Sequence, residues 1–115
     1  MQVSVIGNAD DTVIVTVRGD LTDGSDTVLG TTLDQVLDRR PAPRVVVDVS
    51  GIDFCDSVGL RSFVTGHDRA RAAGGWLRLA APGGPLLALL EGAGLTSRLD
   101  VHPTVADALA AGRDL

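Results

Sequence analysis

Ser57 is the residue whose position is most suggestive of chemistry, because it stands at the start of a predicted helix, directly after a predicted strand and loop. A hydroxyl there can accept a hydrogen bond from the first helical turn and act as an N-cap. The same position favours an anion, because the first-turn N–H groups are free and the helix dipole is positive there. Two interpretations therefore stay open, a structural cap and a nucleophile or phosphate acceptor. Gly59 lacks a side chain, which would let a partner approach closely.

Aspartates are concentrated on the predicted loops beside this serine. They are Asp20, Asp23, Asp53 and Asp56. Such carboxylates could hold a divalent cation, but aspartate is also common in loops as a turn and capping residue. Asp48 and Asp53 further allow the hypothesis of a receiver domain with an aspartate as phosphate acceptor. Receiver sites also need a lysine, and this chain contains none.

The other candidates for catalysis are His67, His102 and Cys55. His67 falls on the apolar stripe of its predicted helix and His102 ends a short predicted strand, so neither has a visible partner for a triad or metal site. Cys55 neighbours carboxylates, which disfavour a reactive thiolate, and is expected to be a small buried hydrophobe. Without lysine, a Walker-type phosphate loop is excluded. An enzyme with Ser57 as nucleophile would therefore lack a credible base.

Composition limits the class of protein and its partners. The 115 residues carry a net charge of −5, with 44% apolar and 22% charged residues, which fits one folded domain over 1–115. An acidic chain is unsuited to nucleic acid or an anionic membrane as its main partner. The single cysteine excludes an internal disulfide. Since neither a secretory signal nor a membrane-spanning apolar run is visible, we expect a cytoplasmic protein.

Apolar periodicity predicts strands and helices in regular alternation. Strands are predicted over residues 3–6, 12–18, 44–49, 76–80 and 99–102. Helices are predicted over residues 25–39 and 57–73, from Pro85 onwards, and from Thr104 onwards. The order predicts an α/β fold: a single-domain, mostly parallel sheet with right-handed β-α crossovers and an antiparallel N-terminal edge strand.

This topology also predicts where a site should lie. Open parallel sheets bind ligands and partners at the carboxyl ends of their strands. Three loops, 19–24, 51–57 and 81–85, leave those ends and are expected to share one edge. The first two would form an acidic rim around Ser57.

A five-residue motif, Asp56-Ser57-Val58-Gly59-Leu60, resembles the Asp-Ser-(Ser/Thr/Ala)-Gly-Leu signature of bacterial anti-sigma-factor antagonists of the STAS family. It stands where that family carries its signature, between the third strand and the following helix. Further similar segments lie at 19–21, 45–50, 73–77 and 94–95, so the resemblance covers nearly the whole chain.

The resemblance implies an STAS-like fold and a switch. In this family the unphosphorylated antagonist binds an anti-sigma factor that is also a serine kinase, and so frees a sigma factor. The kinase phosphorylates the motif serine, here Ser57, the complex dissociates, and a metal-dependent serine phosphatase resets it. ATP and magnesium belong to the kinase, so the antagonist needs no cofactor. The implied partner- and kinase-binding residues are Asp20, Thr22, Asp23, Asp53, Asp56, Val58, Gly59 and Leu60.

Two positions depart from the family pattern. Many members carry an aspartate where this chain has Thr22 followed by Asp23, so phosphorylation could be slower or could use Asp23. Val58 replaces a small or hydroxylated residue and removes a second possible acceptor. An alternative within the family is a non-phosphorylated STAS module, a subunit of a signalling or lipid-transport assembly, in which Ser57 is only a cap or contact.

Overall fold

The computed structural model describes residues 2–9, 11–22, 24–39 and 41–111. Along the chain the elements are β1 (Gln2–Ala9), β2 (Thr12–Leu21), α1 (Asp26–Asp38), β3 (Arg44–Cys55), α2 (Ser57–Ala72), β4 (Trp76–Ala80), α3 (Gly84–Gly92), β5 (Asp100–His102) and α4 (Val105–Ala110). Within the described residues, no helix is both long enough and apolar enough to cross a membrane.

The strands form one sheet in the order β1-β2-β3-β4-β5. β1 pairs antiparallel with β2, and every other pair is parallel. The predicted α/β class, the mostly parallel sheet and the antiparallel N-terminal edge strand are confirmed. β3 lies at the centre of the sheet, and its carboxyl end leads directly into α2.

Both faces of β3 are buried, as its continuous apolar run predicts. Val45, Val47 and Val49 belong to the main core, which also contains the inward leucines of α1 and Phe63 of α2. Val46 points the other way and packs in a smaller cluster with Ala108 of α4. Because β3 is packed on both faces, its position and direction in the sheet are fixed. The point at which α2 begins is therefore fixed as well.

β2 and β3 both continue further than predicted, so residues 19–21 and 51–55 of the predicted loops 19–24 and 51–57 are strand. Asp20 pairs with Phe54, and Leu21 pairs with Cys55. Two register shifts accommodate this extension. The apolar pattern becomes polar in this region, so the strands are held by backbone pairing and by two buried end residues, Leu21 and Cys55, rather than by a continuous apolar run.

The three predicted loops all follow carboxyl ends of parallel strands, but they lie at different distances along the sheet. β4 ends at Ala80, whose partner in β3 is Asp48. β3 then continues to Cys55, roughly 20 Å further at about 3.3 Å per residue. The loop after β4 therefore lies well behind the ends of β2 and β3, and only these two strands carry the rim beside Ser57.

Candidate functional site

Ser57 is the first residue of α2, and its side chain is exposed. Among the described residues its hydroxyl has no hydrogen-bond partner. The backbone N–H groups of Ser57 and Val58 belong to the first turn, where an α-helix offers no internal acceptor. A free hydroxyl thus lies beside free donors at the positive end of a helix of 16 residues.

Asp56, rather than Ser57, is the N-cap of α2. Its backbone is extended, with φ −102° and ψ −174°, and its Oδ1 accepts a hydrogen bond from the N–H of Gly59 at 2.9 Å. The interpretation of Ser57 as the cap is therefore wrong. Because the neighbouring carboxylate occupies the capping position, the serine hydroxyl is left free for other chemistry.

Gly59 is needed for internal packing. A Cβ built at Gly59 would press against the carbonyl oxygen of Leu21 and lie 2.8 Å from Sγ of Cys55, closer than real Cβ contacts allow. The N–H of Asp56 donates to the same Leu21 oxygen at 3.2 Å. This glycine therefore lets α2 approach the end of β2. Leu60 is buried as well, so these two residues shape the site from within.

The rim beside Ser57 is acidic at the positions the structure describes. Asp20 and Asp53 are exposed, and Asp56 is half-buried. Thr22 is half-buried, and its N–H donates to Oγ of Ser25 at 2.9 Å. The same hydroxyl donates to the carbonyl oxygen of Asp20 at 2.9 Å, which holds the turn after β2 in place. Asp23, also predicted for this rim, lies outside the described residues.

Phe54 is a surface residue that the sequence pattern did not single out. Its side chain is 57% exposed, although it is one of only two phenylalanines, and it pairs across the sheet with Asp20. Val58 is half-buried and lines a groove of about 430 Å³ between α1 and α2, together with Thr27, Thr31 and Arg61. An exposed aromatic ring, a carboxylate and a residue that lines a groove therefore lie within three positions of Ser57 in the chain, at Phe54, Asp56 and Val58.

Cys55 is buried directly below this surface. Its thiol donates a long hydrogen bond of 3.5 Å to the carbonyl oxygen of Asp56. Burial, followed by the charge of Asp56, raises the pKa of the thiol to about 11. A thiol with this pKa is protonated at neutral pH and is a poor nucleophile, which agrees with the predicted role as a small buried hydrophobe.

Within the described residues, neither histidine is placed to act as a base for Ser57. His67 lies ten residues later on the same helix, about 15 Å away along its axis at about 1.5 Å per residue. His102 lies on β5, which β4 separates from β3.

Within the described part of the chain, no three His, Cys, Asp or Glu side chains are placed to hold a metal ion. Asp48 accepts a hydrogen bond from the N–H of Ser50 at 3.0 Å, as a turn residue does.

A family model described as "Mlab, STAS domain" matches residues 4–103. The chain therefore belongs to the STAS family. No curated protein sequence matches the chain.

Solved structures are similar over nearly the whole chain. An anti-sigma factor antagonist from Mycobacterium paratuberculosis is 26% identical, with a TM-score of 0.82 over 98% of this chain and 96% of that one. The anti-sigma factor antagonist SpoIIAA in its unphosphorylated form is 15% identical, with a TM-score of 0.80 over 99% of this chain and 98% of that one. The murine Solute Carrier 26 family member A9 anion transporter is 16% identical, with a TM-score of 0.77 over 90% of this chain but 18% of that one. The fold thus occurs both in chains of this size and as part of a larger transporter.

Proposed function

We propose that this protein is an anti-sigma-factor antagonist that binds an anti-sigma serine kinase and is switched off by phosphorylation of Ser57. The observation that carries the proposal is that Asp56 caps α2. Ser57, the next residue, therefore keeps an exposed hydroxyl that has no hydrogen-bond partner among the described residues. A hydroxyl that already served as the cap would have to break that bond before it could enter a kinase active site.

A phosphate on Ser57 would suit the fold. It would add about −1.5 to −2 charges at the N-terminus of α2, where the helix dipole and the free first-turn N–H groups favour an anion. The buried contact between Gly59 and Leu21 lies beneath this surface and would be undisturbed. The modification would therefore change the charge of the surface without unfolding the domain.

The effect on a partner would be electrostatic. The new charge would join Asp56 and stand on the rim that also carries Asp20 and Asp53. If the kinase presents carboxylates to this rim, one like-charge contact at about 4 Å would cost about 1 to 4 kcal/mol at surface dielectric values. That corresponds to a loss of affinity of about five- to a thousandfold, enough to release the partner.

Phe54 supplies the apolar part of the proposed interface. Aromatic side chains often dominate the binding energy of an interface when they are surrounded by polar residues that exclude water. Phe54 lies next to Asp20 and one residue before the buried end of β3, so it is held on a rigid strand. The likeness to the mycobacterial antagonist at 26% identity supports a partner of the anti-sigma-factor type.

The second candidate is a non-phosphorylated STAS module within a signalling or lipid-transport assembly. It is favoured by the likeness of the fold to part of a murine transporter. In such an assembly Ser57 would be only a contact residue, and a serine phosphatase would have no substrate here.

The experiment is intact-mass measurement after incubation with the cognate anti-sigma kinase, ATP and magnesium, followed by treatment with the cognate serine phosphatase. We expect one phosphate on the wild type, none on Ser57→Ala, and removal of the phosphate by the phosphatase. The matched control is Ser62→Ala, because Ser62 lies on the same helix and its hydroxyl donates to the carbonyl oxygen of Val58 at 3.4 Å. An unmodified wild type with a kinase that is active on another substrate would favour the second candidate.

A further inference from the structure

A second polar cavity lies at the opposite edge of the sheet from Ser57. It has a volume of about 370 Å³, within the range of small-molecule sites. Its walls include the last turns of α2, the first residue of β4 and the segment leading into β5. Since Ser57 begins α2 at the carboxyl edge of the strands, this cavity is separate from the site described above.

Two arginines line this cavity. Arg71 is exposed and has no ion-pair or hydrogen-bond partner among the described residues. Nη2 of Arg98 lies 2.9 Å from Oδ2 of Asp68, which leaves the remaining N–H groups of its guanidinium available. In a chain with a net charge of −5, Arg71 therefore brings a positive charge without a carboxylate partner to this cavity, and Arg98 adds further N–H donors.

The one carboxylate in the cavity wall, Asp100, is already balanced. Its Oδ2 accepts a hydrogen bond from Nε of the buried Arg78 at 2.9 Å, and its Oδ1 lies 2.7 Å from Nε2 of His102. Arg78 also donates to the carbonyl oxygen of Ala108 at 2.8 Å and lies over the ring of Trp76. Arg78 therefore balances the charge of Asp100, as Asp68 balances that of Arg98, and among the described lining residues the guanidinium of Arg71 is the charge left unbalanced.

His67 adds a polar ring to the cavity wall. Its Nδ1 is buried and has no hydrogen-bond partner among the described residues. An imidazole carries at least one N–H in either protonation state. His67 can thus offer an N–H to an anionic ligand.

We propose that this cavity binds a small organic molecule through its phosphate group, with Arg71, Arg98 and the imidazole of His67 as the donors and the hydroxyl of Thr96 beside them. Donors from a helix and from the segment before β5 would converge on one anion from different directions. A tetrahedral phosphate accepts hydrogen bonds in this way, and arginine is well suited to bind it. The volume of about 370 Å³ leaves room for the organic part as well as the phosphate.

Trp76 provides a direct readout, because it is the only tryptophan and the chain has no tyrosine. The protein is titrated with glycerol 3-phosphate and, separately, with inorganic phosphate, with lactate as a carboxylate comparison, all at constant ionic strength. Tryptophan fluorescence and ¹⁵N-resolved amide shifts of residues 96–100 are followed together. We expect a saturable change with glycerol 3-phosphate, a weaker one with inorganic phosphate and none with lactate.

Three variants locate the binding. Arg71→Gln and Arg98→Gln should each weaken binding about tenfold, the value of one charge-assisted hydrogen bond. Arg39→Gln makes the same change in charge at the exposed end of α1 and should bind as the wild type does. The proposal is overturned if neither readout changes saturably up to about 10 mM, where a dissociation constant of about 1 mM would be evident. It is equally overturned if lactate binds as well as phosphate, or if Arg39→Gln weakens binding as much as Arg71→Gln.

Discussion

The α-carbon of Gly59 faces the carbonyl oxygen of Leu21, with no room between them for a methyl group. This contact joins the first turn of α2 to the end of β2. The same oxygen accepts the N–H of Asp56 at 3.2 Å, so one backbone carbonyl positions both the cap and the first turn. The position of Ser57 at the surface is therefore determined by the contact between Gly59 and Leu21, two residues that are far apart in the chain.

Replacing Gly59 by alanine should destabilise the protein. The added Cβ would collide with backbone and with Sγ of Cys55, and overpacking of this kind costs about 1 to 3 kcal/mol. Gly30→Ala is the matched control, because Gly30 lies in α1 and has no atom within 4 Å of a Cβ built there. Gly30→Ala should stabilise the protein by about 0.5 to 1 kcal/mol through helix propensity. Urea unfolding measures both, and equal effects from the two substitutions would contradict this account of Gly59.

Replacing Asp56 separates its capping role from its charge. Asp56→Ala removes the acceptor for the N–H of Gly59 and should cost about 1 kcal/mol of unfolding free energy. Asp56→Asn keeps a side-chain oxygen as acceptor and should lower the unfolding free energy by only a few tenths of a kcal/mol. Thermal or urea unfolding gives the comparison. If Asp56→Asn were as unstable as Asp56→Ala, the carboxylate charge rather than the cap would be the stabilising feature.

The thiol of Cys55 should make stability depend on pH in the alkaline range. Burial raises its pKa from 9.0 to about 11, so the folded state holds its proton more tightly than the unfolded state does. The resulting stability is complete below pH 9 and is lost as the pH rises towards 11, by about 2 to 3 kcal/mol. The chain has no lysine or tyrosine, so few other groups titrate there. Urea unfolding across this range should show a steep fall for the wild type and a shallow one for Cys55→Ala. Equal slopes would refute the assignment.

The two phenylalanines should respond in opposite ways to truncation. Phe54 is 57% exposed, so Phe54→Ala should change stability by less than about 0.5 kcal/mol but weaken binding to the anti-sigma factor at least tenfold. Phe63 is fully buried, and Phe63→Ala should cost about 3 to 5 kcal/mol of stability. Calorimetric titration with the anti-sigma factor tests the first claim. Unchanged affinity for Phe54→Ala would remove it from the interface.

The local sequence pattern was sufficient to predict those strands and helices that bury one regular face. The strand predicted over 76–80 has those bounds in the structure, because its central and final residues are all buried. The helix predicted from Thr104 onwards is also present, with Thr104 as its N-cap, since its hydroxyl accepts the N–H of Asp107 at 3.0 Å. In both cases the residues that determine the structure are neighbours in sequence.

Long-range contacts determined what the sequence could not predict. Residues 51–55 are polar enough to resemble a loop, yet they form strand because β2 pairs with them up to Cys55. Asp56 and Ser57 are both good capping residues, and only the fixed position of α2 against Leu21 decides that the aspartate is used. The exposure of Phe54 follows from the same extension of β3. The cavity beside Trp76 was also not predicted, because it joins residues from α2, β4 and the segment before β5.

The central claim, that phosphorylation of Ser57 switches binding off, is tested most directly by calorimetric titration of the cognate anti-sigma factor with the phosphorylated and the unphosphorylated protein. The account predicts at least a fivefold loss of affinity on phosphorylation, while Ser57→Ala carried through the same kinase treatment keeps the affinity of the unmodified form. Equal affinities of the phosphorylated and unphosphorylated proteins would contradict it.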